Sequence, residues 1–155
     1  MKIMQKVERI NKEELVNITK LKIQDKIKSL ENLIAETRAS NNETKSSMGD
    51  KYETGREMLQ QEINNLQVQL NEVIKQQSIL QKLQIRNSQK VESGALVQTE
   101  NGLFFISVSA GELMLANQKV MSVSLDSPLA KAMTGKGKGE NFIVNNLSQT
   151  IIEIW

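Results

Sequence analysis

The chain has 155 residues and contains neither cysteine nor histidine. Those absences exclude a disulfide framework, a thiol nucleophile, an imidazole base and any His/Cys zinc site built from this chain alone. Carboxylate, lysine, tyrosine, serine and threonine chemistry remains. No acid–base–nucleophile set stands out among those residues, so the chain is not expected to be an autonomous enzyme. Aromatic residues are scarce, with one Trp, one Tyr and three Phe. Phe104, Phe105, Phe142 and Trp155 all follow residue 100, which leaves Tyr52 alone in the first half. That half cannot build a large core from its Leu, Ile, Val and Met. No apolar run is long enough for a membrane span or a signal peptide, so a soluble protein of the cytoplasm, with no membrane partner, is expected. The 20 basic and 18 acidic residues give a net charge of +2 and are interspersed, which argues against a bulk nucleic-acid surface.

What the first half does contain is helical periodicity. Val16, Ile23 and Leu30 recur every seven residues, and Ile27 and Ile34 fill the alternate spacing. This is the pattern of a coiled-coil seam, and it predicts a helix from residue 12 to about 38. Asn11 is placed to cap it, with Glu13 and Glu14 in the first turn, where negative charge is favourable. Leu59, Ile63, Leu66, Leu70, Val73 and Leu80 repeat the spacing over residues 52 to about 84, with Gln77 as one polar interruption. Residues 39–51 between the two arms are small and polar and include Gly49, which suits a turn. Two such arms fold back on each other as an antiparallel helical hairpin with a polar tip, assigned to residues 1–86. A structural or dimerisation element is the ordinary reading of such a coiled coil. The functional reading is a monomeric prong that carries its tip into a deep site.

The composition changes after residue 85, through a linker around 85–90. Residues 91–155 read as a small, separate α+β domain. Asn101-Gly102 between β-prone runs predicts a hairpin. A strand is expected over 120–125. Ser127 and Pro128 then open a short helix that Gly135 closes. Two final strands, 141–144 and 150–155, flank a turn at Asn145-Asn146.

The tip holds Glu43 and Asp50. Paired carboxylates can share a hard cation such as Mg²⁺, although acids in polar loops are usually just solvated. The run from Thr134 to Glu140, with Gly135, Lys136, Gly137, Lys138 and Gly139, invites a phosphate-loop reading. It lacks the required spacing and follows a helix instead of joining a strand to one. It therefore reads as a turn with its lysines in solvent. Most methionines read as core filling, whereas Met48 falls in the polar tip.

Residues Asp126 to Glu140 resemble the C-terminal signature of the Gre transcript-cleavage factors, in which Ser-Pro-Leu, here Ser127, Pro128 and Leu129, opens a short helix before a Gly-Lys and a Gly-acid pair. Tyr52, Arg56 and Glu57 are similar to that family's Tyr-x-x-x-Arg-Glu at the start of the second arm. The resemblance spans nearly the whole chain in the same order. It implies an FKBP-like C-terminal domain that docks on RNA polymerase and a coiled coil that enters the secondary channel. Tyr52, Arg56, Ser127, Pro128 and Leu129 would be partner-binding positions, and the tip would lie near the RNA 3′ end. In the family, two acidic tip residues help the polymerase hold Mg²⁺ while it cleaves its own backtracked RNA, so the factor needs no cofactor of its own. Counting back from Tyr52, those acids would fall on Lys45 and Met48, and neither is a carboxylate. Glu43 and Asp50 are the nearest acids and become the candidate tip carboxylates. Three readings stay open: a factor that stimulates cleavage, a channel-occupying regulator that does not, and a coiled-coil adaptor unrelated to polymerase.

Overall fold

A computed structural model describes residues 10–44 and 51–155, with the side chains of 43–44 and 51–53 left aside. Helix α1 spans Lys12–Thr44 and helix α2 spans Lys51–Lys82. The expected cap is present: Asn11 Oδ1 accepts from the backbone N–H of Glu13 at 2.9 Å and of Glu14 at 3.4 Å. α1 runs further than its seam predicts. Residues 39–44, expected as loop, are helical, and so is Lys51. Nothing between Ala39 and Thr44 is Gly or Pro, so the helix ladder has no reason to break there.

The described residues divide into two compact units, one within Lys22–Ser78 and the other formed by residues 10–21 together with Ile79–Trp155. The division runs through both long helices. In the Lys22–Ser78 unit the buried stripe of α1 is Ile23, Leu30, Ile34 and Thr37, and that of α2 is Ile63, Leu66, Leu70 and Val73. Ile27 and Leu59 lie at the stripe's edge and are half-buried. Asn41 shares a cleft with Arg56, Glu57 and Gln60, and Ile34 shares one with Gln67 and Leu70. Numbers fall along one helix as they rise along the other, so the pair is antiparallel. Thr37 extends the seam as a polar residue because its hydroxyl donates to the Leu33 carbonyl at 2.7 Å and leaves only its methyl to pack.

The second unit is built on a six-stranded sheet. Its strands are β1 (Leu96–Thr99), β2 (Gly102–Ser107), β3 (Gly111–Leu115), β4 (Gln118–Ser124), β5 (Asn141–Val144) and β6 (Leu147–Ile154), in the order β3-β4-β2-β1-β6-β5. All neighbours are antiparallel except β2 and β4, which pair in parallel with Leu103 opposite Val120. Helix α3 covers Pro128–Met133. Alternation along each strand sorts side chains onto two faces. Leu96, Leu103, Phe105, Leu113 and Val120 pack on one face with Leu15 and Val16 of α1. Val97, Ile106, Phe142, Ile151 and Ile154 pack on the other with Ala130 and Met133 of α3. Val16 therefore serves the sheet and not the helical seam to which its spacing assigned it. The two long helices followed by this sheet give an α+β chain, as the sequence led one to expect.

Two turns differ from expectation. Thr99 pairs with Gly102, so the β1–β2 turn residues are Glu100 and Asn101, one position earlier than the Asn-Gly pair suggested. Gly102 instead opens β2 with φ +133°, a conformation that suits glycine. β3 was not anticipated. It reaches β4 through Ala116 and Asn117, both with positive φ (51° and 59°), a tight turn made without glycine. The turn at Asn145 and Asn146 is of the same left-handed kind (52° and 63°) and matches the sequence reading.

Candidate functional site

The polar end of the helical pair holds most of the residues singled out in the sequence. Asp50, Lys45 and Met48 lie outside the described residues. Glu43 and Tyr52 stand on helical backbone, but their side chains lie outside the description. Arg56 is half-buried and lines a cleft of about 420 Å³ with Asn41, Glu57 and Gln60. Asn41 adds a buried side-chain oxygen with no hydrogen-bond partner among the described residues. The cleft thus offers a guanidinium, a carboxylate and two amides on facing helices, a set suited to polar recognition. Among the described residues no group of three or more acidic side chains comes together to hold a metal ion.

Ser127, Pro128 and Leu129 lie together at the start of α3. The Ser127 hydroxyl accepts from Ala130 N–H at 3.1 Å, which makes it the N-cap. Pro128 takes the first helical turn, where its missing N–H costs nothing, and it is exposed. Leu129 packs against the core cluster on that face of the sheet. Local folding alone therefore accounts for this triplet, while Pro128 remains available at the surface.

The glycine–lysine run is no phosphate cradle. Gly135 N–H donates to the Val91 carbonyl at 2.9 Å, Lys136 N–H to Met133 at 3.0 Å, and Gly139 N–H to Ile151 at 2.7 Å. Gly137 N–H is taken by the Glu140 carboxylate. Gly135 and Gly139 tie the run to the segment before β1 and to β6, and Lys136 and Gly137 donate locally, so these four donors do not converge on an anion. Lys138 is ion-paired with Glu153 at 2.8 Å, and that hydrogen bond holds the Glu153 carboxyl below the usual carboxylate range.

One side chain that the sequence did not flag is Lys12. It is 9% exposed, and its Nζ donates to the Arg86 carbonyl at 2.7 Å. Burial pushes its pKa down to about 8, and the nearby Glu92 carboxylate offsets only part of that. A lysine directly after an N-cap carries no signal of burial. Residues distant in sequence, at 85–87 and Trp155, line the cleft with it. Among the described residues no helix is long and apolar enough to cross a membrane.

No protein-family model matches the chain, and no curated protein matches it. Similar solved structures include GreA factor homolog 1 (Gfh1) of Thermus thermophilus, at 17% identity and a TM-score of 0.37, covering 88% of this chain and 94% of that one. A second structure of the transcription factor Gfh1 is similar at 16% identity and a TM-score of 0.37, covering 88% and 93%. Gfh1 of Thermus aquaticus is similar at 17% identity and a TM-score of 0.33, covering 85% and 90%.

Proposed function

We propose that this chain is a Gre-like transcription factor that binds RNA polymerase, enters its secondary channel with the helical pair and modulates elongation without being an enzyme itself. The reading starts from the ordered sequence resemblance, Tyr52, Arg56 and Glu57 in the first half and Asp126 to Glu140 in the second. The observation that carries it is the Lys22–Ser78 unit, two antiparallel helices whose buried stripes form one seam. Two helices side by side, each roughly 10–12 Å across with side chains, make an element slender enough for a channel. Arg56, in its cleft on this unit, and the exposed Pro128 are the partner contacts proposed from the resemblance, with Tyr52, Ser127 and Leu129 beside them.

Lys45 and Met48 favour a second, narrower reading: occupation of the channel without cleavage. They stand where the family has its acids, and they supply no carboxylate for Mg²⁺. An ammonium near a divalent cation repels it, whereas it attracts an RNA phosphate. In the cleavage reading the donors would be Glu43 and Asp50.

The test is co-purification with RNA polymerase, followed by addition of the protein and Mg²⁺ to backtracked complexes. Cleavage stimulation predicts shortened RNA that is lost in Glu43→Ala or Asp50→Ala while binding survives. Channel occupation alone predicts binding with RNA length unchanged. Failure to bind polymerase sinks both readings and leaves the coiled-coil adaptor, whose arms would pair between chains in sedimentation.

A further inference from the structure

The start of α1, residues 85–87 and Trp155 enclose a cleft of about 560 Å³, and Lys12 lies in its wall. This cleft is separate from everything the proposed function uses. We propose that Lys12 is a covalent modification site, a lysine that takes the acyl group of a small acyl phosphate such as acetyl phosphate entering this cleft.

Three features of the cleft support that chemistry. The Arg86 carbonyl accepts one hydrogen of the Lys12 amine at 2.7 Å, which orients the nitrogen of a residue that lines the cleft. The charged groups around it nearly balance. Arg86 and Glu13 line the cleft, and Glu92 is held by the Ser88 hydroxyl at 3.1 Å and by the Arg86 guanidinium at 3.5 Å. The Arg86 guanidinium is shared with Glu92, so an incoming phosphate takes it only in exchange for that 3.5 Å contact. Burial also disfavours the ammonium, with the amine losing its proton near pH 8 against about 10.4 for a solvated lysine. A usable fraction of Lys12 is therefore the free nucleophile near neutral pH.

In the step, the Nζ lone pair attacks the acyl carbon. The N–C bond forms, the C–O bond to phosphate breaks, phosphate leaves with the electron pair, and the amine proton passes to phosphate or water. The product is a neutral amide at Lys12 and inorganic phosphate.

The full chain is incubated with acetyl phosphate at pH 7.5, and acetylation at each lysine is followed by peptide mass spectrometry. Lys12 is expected to react roughly fivefold faster or more than the exposed Lys75. Its rate should level off above about pH 8. In urea the preference should vanish, because the cleft makes it and the local sequence does not. Lys12→Arg should leave acetylation at Lys75 unchanged. Equal rates at Lys12 and Lys75 in the folded protein would overturn the proposal, as would a Lys12 preference that survives urea.

Discussion

Lys12 and Arg86, 74 residues apart, are joined by a hydrogen bond of 2.7 Å from the lysine amine to the arginine carbonyl. The bond ties the first residue of α1 to the segment that follows α2. The amine is held there at an electrostatic cost, since its folded pKa is lowered to about 8 while the unfolded chain keeps the ordinary value of 10.5. Between those values the unfolded state binds more protons, so stability rises with pH over that window and is flat below it with respect to this group. Lys12→Met should remove that rise, a difference of ~1–3 kcal/mol between wild type and variant from pH 8 to 10.5. Urea unfolding at a series of pH values measures it, and parallel curves for the two proteins would contradict the burial of this amine.

Ser127→Ala should cost ~1 kcal/mol, because α3 has only six residues and its cap bond is one of few that hold its start. Ser127→Asp should recover most of the loss by the same geometry. If polymerase binding falls in both variants while stability returns in Ser127→Asp, the hydroxyl itself is a partner contact.

The helical pair should be intramolecular. The chain has no cysteine, so nitroxide labels can be placed at Glu31→Cys and Gln67→Cys, two positions that line one cleft. A short spin–spin distance that persists when labelled protein is diluted with unlabelled protein is expected. Loss of the signal on dilution would mean that the arms pair between copies.

The buried hydroxyl pair at the β2–β4 junction sets a further stability test. Ser122 Oγ donates to the Val108 carbonyl at 2.6 Å and lies 3.0 Å from Ser107 Oγ. Ser122→Ala leaves the buried Ser107 hydroxyl without this partner, while the Val108 carbonyl keeps the Ala110 N–H at 2.8 Å, at a cost of ~1–3 kcal/mol. The double variant Ser107→Ala, Ser122→Ala should lose less than the sum of the singles, since the two share one interaction. Denaturation midpoints decide between coupling and simple addition.

The features readable from sequence were those set by local chemistry. Asn11 as a cap, Ser127 and Pro128 at a helix start, and Asn145-Asn146 as a turn each depend on a few adjacent residues. What escaped depends on partners far along the chain. Leu15 and Val16 continue the helical pattern, and nothing local says that strands near residues 96–120 will cover them. β3 was hidden because its turn uses Ala116 and Asn117 without the glycine that usually marks such a bend. Thr37 had no apolar spacing to mark it as seam, and it is buried there because its hydroxyl is satisfied by its own helix. Of the candidate site, Arg56 is placed beside Asn41 and Glu57, whereas the carboxylate question was raised by Lys45 and Met48 and lies outside the described residues.

The place of β6 between β1 and β5 has a consequence for synthesis. While the ribosome is still adding residues 147–154, β1 has an uncovered edge, and β5 has no neighbour to pair with. Leu15 and Val16 emerge far earlier and must wait for the strands that shelter them. That face of α1 therefore gains its cover only when the sheet forms.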